Sequence, residues 1–195
     1  MKLCIVLLFT TSTLVLFSCT KNSDNSIPPN LKDTLLKIGD TAYGGIVMYK
    51  EKGIHGLVCA LTDQSDSVAW DTNCFVNASY RPKITNATDT AIGKGTSNTN
   101  LILATLGSEI NAASICHNYK GGGYNDWFLP SKAELNLMYV NLKSTVFKGA
   151  TKNYWSSTEV PFNIFTVASC QNFYTGNQND YNKSLMTNTR AIRTF

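Results

Sequence analysis

Charge is scarce in this chain, and histidine scarcer. Asp, Glu, Lys and Arg together make up 15% of the 195 residues, against about 25% in typical soluble domains. Asn, Ser and Thr take their place, giving a polar but weakly charged surface suited to uncharged partners. The basic residues are scattered, apart from Lys32/Lys37 and Arg190/Arg193. No basic stripe interleaved with aromatics forms, which argues against nucleic acid as a partner. His55 and His117 are the only histidines, neither sits in a motif, and no C-x-x-C pair occurs. A Cys/His zinc site is therefore unsupported, and no cofactor is expected. No residue run pairs a nucleophile with a base or matches two carboxylates, so no catalytic residue is assigned. The longest apolar stretch, Leu3 to Phe17, is interrupted by Thr10 to Thr13 and falls short of the roughly 20 residues of a membrane-spanning helix.

What that stretch does have is the layout of an export signal: Lys2, an apolar core, then the small residue Ser18 before Cys19. Leu16-Phe17-Ser18-Cys19 resembles a bacterial lipobox. This implies a signal over 1–18, lipid on Cys19, and a location at the cell envelope, anchored by lipid at the outer membrane.

Residues 19–38 read as a tether. Thr20 to Asn30 is polar and contains Ile27-Pro28-Pro29, which cannot pair as a central strand. The domain is expected over 39–195. Apolar residues are 43% of the chain, enough for a real core. Gly44 to Tyr49 and Gly56 to Leu61 are β-rich runs around a turn at Glu51-Lys52-Gly53, which predicts a hairpin. Residues 62–98 read as one long loop. Asn98 to Tyr119 reads as helix with a break at Gly107; Ala112, Ile115, Cys116 and Tyr119 share a face. Ser131 and Glu134 form an S-x-x-E capping box ahead of an apolar face of Leu135, Met138, Tyr139 and Leu142. Strand-like runs follow at Tyr154 to Ser157, Phe165 to Tyr174 and Thr189 to Phe195. No internal repeat is present.

The run Gly121 to Tyr139 reads GGGYNDWFLPSKAELNLMY. Together with Gly44-Gly45-Ile46-Val47, Asp89-Thr90-Ala91-Ile92-Gly93, Tyr154-Trp155-Ser156-Ser157-Thr158 and Arg190-Ala191-Ile192-Arg193, it resembles the DUF1566 family, also called the Lcl C-terminal domain after a collagen-like adhesin. The resemblance spans about residues 40–195. By fold-level analogy its L-P-S-x-x-E-L core also looks like part of the C-type-lectin-like fold. It implies an α+β domain, with two helices packed beside small antiparallel sheets and a long loop region. The motif residues themselves read as folding devices, with Trp127 and Trp155 as core anchors.

Four cysteines remain after Cys4 and Cys19: Cys59, Cys74, Cys116 and Cys170. In an exported domain they allow two disulfides, the preferred pairing being Cys59–Cys74 and Cys116–Cys170; buried free thiols are the alternative. The candidate ligand surface is Tyr174, Asn177, Asn179, Asp180, Tyr181 and Asn182, rich in groups that contact neutral polar ligands; a solvated turn has the same composition. Calcium could use its oxygens, but Asp180 supplies the only charge there. Asp33-Thr34-Leu35, Asp40-Thr41-Ala42, Asp66-Ser67-Val68 and Asp89-Thr90-Ala91 repeat the form D-[ST]-apolar, which resembles the acceptor motif of general O-glycosylation in exported bacterial proteins. The expectation is a membrane-anchored, non-catalytic binding module for a glycan or a protein. The alternatives are an accessory lipoprotein of an envelope assembly, oligomeric as the family's adhesin member suggests, or an enzyme on a lectin-like fold.

Overall fold

The computed structural model describes residues 35–51, 55–72, 83–107, 109–163 and 166–195. The signal, Cys19 and nearly all of the tether lie outside the described residues. The fold is mixed α+β, with two small sheets and few helices. The first sheet holds β1 (Thr41–Ala42), β2 (Gly45–Lys50), β3 (Gly56–Cys59) and β9 (Ile192–Thr194), in the order β1-β2-β3-β9. The second holds β4 (Ser65–Val68), β5 (Asn153–Glu159), β6 (Val167–Asn172), β7 (Gln178–Asn182) and β8 (Thr187–Thr189), in the order β4-β8-β5-β6-β7. All pairings are antiparallel except the short parallel contact of β5 with β8. The helices are α1 (Gly95–Leu106), α2 (Ala112–His117) and α3 (Lys132–Leu142). No helix among the described residues is long and apolar enough to cross a membrane.

The first sheet is buried on both faces. Side chains alternate along a strand, so Leu57 and Cys59 enter one apolar cluster while Val58 and Ala60 enter the other. The same alternation sends consecutive Val47 and Met48 of β2 into the two clusters, and the β2–β3 register shifts between Val47 and Tyr49. The first cluster packs Ile102 and Leu106 of α1 and Ala112, Ala113 and Cys116 of α2 around Trp70, Trp127 and Trp155. The second packs Leu135, Met138 and Leu142 of α3 against Phe147, Tyr154 and Phe173.

The hairpin, the Gly107 break and the Ser131 cap are where the sequence puts them. Ser131 Oγ accepts from Glu134 N at 3.3 Å and a Glu134 carboxylate oxygen accepts from Ser131 N at 2.8 Å. Other expectations are corrected. The region 62–98 is not one loop: β4 lies inside it, and α1 starts at Gly95. Ser65 and Val68 pair with Thr189 and Thr187, partners over a hundred residues away that no local pattern reveals. The break at Gly107 separates two helices, so three rather than two stand among the described residues. Asn111 caps the second, its side chain accepting from Ala113 N and Ser114 N. The strand expected through Tyr174 stops at Asn172.

The quoted motif residues form two structural knots. In one, Pro130 O accepts from Ser157 N at 2.7 Å, Thr158 Oγ1 accepts from Lys132 N and donates to Asp89 O, and Glu134 also accepts from Gly93 N. In the other, Gly122 (φ 66°) lies against Gly44, where a Cβ would collide with the Gly44 backbone. Nearby Asp126 grips Arg193 through two bonds of 2.6 and 2.8 Å, and the guanidinium lies 3.8 Å from the Tyr124 ring centroid.

Candidate functional site

The site is built at the β6–β7 turn. Phe173 is buried and surrounded by rings: Tyr154 at 4.5 Å, Phe147 at 4.8 Å and Tyr139 at 5.4 Å between centroids. Asn172 closes the turn, its Oδ1 accepting from Tyr174 N at 2.9 Å and Thr175 N at 2.8 Å. Gly176 (φ 86°) completes it against the Tyr139 ring, where a Cβ would be 2.7 Å from ring carbons. With Phe173 locked inward, Tyr174 is turned outward and is 67% exposed.

Tyr174 stands at the edge of a groove of about 600 Å³ between the end of α3 and the turn that follows it. Phe147 and Phe173 line its floor, and Val140, Lys143, Ser144 and Lys148 line its sides. Val140 is 63% exposed. The turn is set by Thr145 N and Phe147 N donating to Leu142 O, and by Ala150 N donating to Phe147 O. Lys143 Nζ donates to the Tyr139 hydroxyl. The arrangement offers an exposed ring for stacking, apolar surface beneath, and ammonium and hydroxyl donors around it.

A second, polar cavity of about 340 Å³ shares Phe147, Lys148, Gly149 and Ala150 with this groove. Its centre is Asp63, whose carboxylate meets Arg190 Nε at 3.0 Å, Lys152 Nζ at 3.1 Å and the Tyr154 hydroxyl at 3.0 Å. Burial, with Asp63 adding its charge, pushes the Tyr154 phenol up.

The six sequence candidates do not share one surface. Tyr174 alone among them lines the groove. Asn177 is exposed in the turn, and its carbonyl accepts from Asn172 N. Along β7, Asn179 and Tyr181 project to one face, Asp180 and Asn182 to the other. Tyr181 is half-buried against the first apolar cluster. Asn182 is a turn former, its Oδ1 accepting from Ser184 N and Oγ. Val140, Lys143, Ser144, Phe147 and Lys148 were missed by sequence reasoning. Val140 carried a signal: it is apolar but lies off the buried face of α3.

The cysteine expectation is also corrected. Cys59, Cys116 and Cys170 are buried free thiols, so the Cys116–Cys170 disulfide is not formed; Cys74, the partner expected for Cys59, lies outside the described residues. Each thiol is buried, and burial disfavours its thiolate form. Desolvation pushes Cys59 and Cys170 up to about 12 and Cys116 well above its ordinary value. His55, just before β3, and His117, at the end of α2, are exposed and lie apart in the chain. Among the described residues no three His, Cys, Asp or Glu side chains gather closely enough to hold a metal ion.

The most buried polar pair is Lys183 with Glu159, 2.6 Å apart with both side chains inaccessible to solvent. Glu159 also accepts from Thr85 N, and Lys183 Nζ lies 4.7 Å from the Trp70 ring centroid. It ties the residues around Thr85 to β5 and to the β7–β8 turn. Compared with known proteins, the chain matches no family model and no curated sequence.

Proposed function

We propose that this chain is a lipid-anchored cell-envelope module that binds a glycan without catalysis, on a C-type-lectin-like domain of the DUF1566 type. The observation that carries the reading is Tyr174, held outward by a locked turn beside a groove with an apolar floor and polar sides. Sugars present apolar C–H faces and hydroxyl edges together. An exposed aromatic ring takes the first, and Lys143, Ser144 and Lys148 can bond the second. The weak charge of the chain fits a largely neutral ligand. The envelope location rests on the lipobox-like Leu16-Phe17-Ser18-Cys19, and the family assignment on the quoted motif residues.

The test is a glycan array probed with residues 39–195 and with the same chain carrying Tyr174→Ala. Retention that the substitution abolishes supports the reading. Retention that survives both Tyr174→Ala and Val140→Asp places the ligand elsewhere, and no retention of the folded wild type on any glycan removes the glycan reading.

A further inference from the structure

One sequence pattern is left unused by the binding reading: the D-[ST]-apolar triplet. Three of its four copies lie among the described residues, with Asp40, Asp66 and Asp89 each followed by Thr41, Ser67 and Thr90. All six of these residues are exposed. Several hydroxyls elsewhere are tied to the protein: Ser131 Oγ donates to Ala91 O, Thr158 Oγ1 to Asp89 O and Thr187 Oγ1 to Asn153 O. Those of Thr41, Ser67 and Thr90 bond to no other described residue. Their backbones are nonetheless fixed. Thr41 pairs with Ile46, Ser67 lies in β4 between paired Ser65 and Val68, and Thr90 O accepts from Ala133 N. The aspartates account for turn formation in two copies, Asp40 accepting from Lys37 N and Asp89 from Ala91 N. Turn chemistry therefore explains two of the three acids and leaves the three hydroxyls without a structural task.

We propose that Thr41, Ser67 and Thr90 are sites of covalent O-glycosylation. Their placement gives the modification a physical use. β1 and β4 are outermost strands of the two sheets, and exposed strand edges invite pairing with other chains. A glycan on Thr41 and another on Ser67 would obstruct one edge of each sheet. The chemistry is transfer from a glycosyl donor with a diphosphate leaving group. The side-chain oxygen attacks the anomeric carbon, its proton passes to a base of the transferase, a C–O glycosidic bond forms, and the bond to the diphosphate breaks. This proposal is independent of the ligand at Tyr174.

The experiment takes the full chain from the membranes of the organism that makes it and measures intact mass before and after chemical deglycosylation. Electron-transfer fragmentation then maps the sugars. The expected result is a mass excess in repeated equal increments, with sugar on at least two of Thr41, Ser67 and Thr90. Thr41→Ala, Ser67→Ala and Thr90→Ala should each remove one increment where the site is occupied, while Ser67→Thr keeps it; all should melt within a degree or so of the wild type. Exposed hydroxyls lacking a preceding aspartate, Thr62, Ser144 and Thr151, should stay bare. An unchanged mass on deglycosylation, sugar on fewer than two of the three, or sugar on Thr62, Ser144 or Thr151 overturns the proposal.

Discussion

Tyr174 owes its exposure to its neighbours. Phe173 cannot leave its ring cluster without opening a cavity, and Asn172 holds the two following amides. Tyr174 itself supports nothing, so Tyr174→Ala should leave the melting temperature unchanged within about 1 °C and remove glycan retention on an array. Tyr181→Ala should lower stability, because its ring packs on the first apolar cluster. The tryptophans are anchors with satisfied N–H groups. Trp127 is 1% exposed and donates to Gly121 O at 3.1 Å, so Trp127→Ala should cost about 3–5 kcal/mol in denaturant unfolding. Native Cys59, Cys116 and Cys170 should resist iodoacetamide at pH 8 and label on unfolding, as read by peptide mass mapping; their raised values leave little thiolate.

At the scale of elements, long-range polar bonds decide the connections. Trp70 Nε1 donates to Ser156 O at 2.8 Å and Trp155 Nε1 to Val68 O at 3.0 Å, linking β5 to the β4 segment across β8. The Lys183–Glu159 pair does the same for the loops. Lys183→Met alone should destabilise by about 3–5 kcal/mol, because Glu159 would be left buried without its partner; Lys183→Met with Glu159→Leu should recover most of that loss. The Asp126–Arg193 clamp sets a pH dependence. Its hydrogen bonds to Arg193 hold the Asp126 carboxyl below the usual carboxylate range. The clamp's contribution is therefore complete above the unfolded carboxylate value and lost as pH falls through the lower folded value. Asp126 is half exposed, so the effect is modest. Acid unfolding of Asp126→Asn should show a shallower loss of stability over that window than the wild type.

For the whole molecule, the lipid anchor proposed at Cys19 lies outside the described residues. Cys19→Ala should abolish acyl labelling and release the chain from membranes; a labelled, membrane-bound variant would refute the lipobox reading. The folded part meets solvent through Val140 and Tyr174 at the candidate groove, and also through Phe162, Ile110 and Met186 elsewhere. The two sheets share one body because the first is buried on both sides. Side chains of β2 and β3 enter both apolar clusters, and Phe128 bridges to Ile192.

Local chemistry by itself determined the β2–β3 hairpin, the break at Gly107, the Ser131–Glu134 cap and the burial of Trp127, because each rests on residues a few positions apart or on side chains too apolar to stay in water. It also carried the quoted motifs, although their purpose was legible only as folding chemistry. Tertiary structure decided what depends on distant partners. β4 and β8 are short and polar, and become strands only because Ser65 meets Thr189. The thiols stay apart because packing, not spacing, decides which cysteines meet. The candidate site was half legible: Tyr174 could be named from composition, but alternation along β7 dispersed its companions, and the groove beside it is made by Val140, Phe147 and Lys148 from another part of the chain. A strand's two faces and a groove's two walls are properties of pairing in space, which a run of neighbouring residues does not encode.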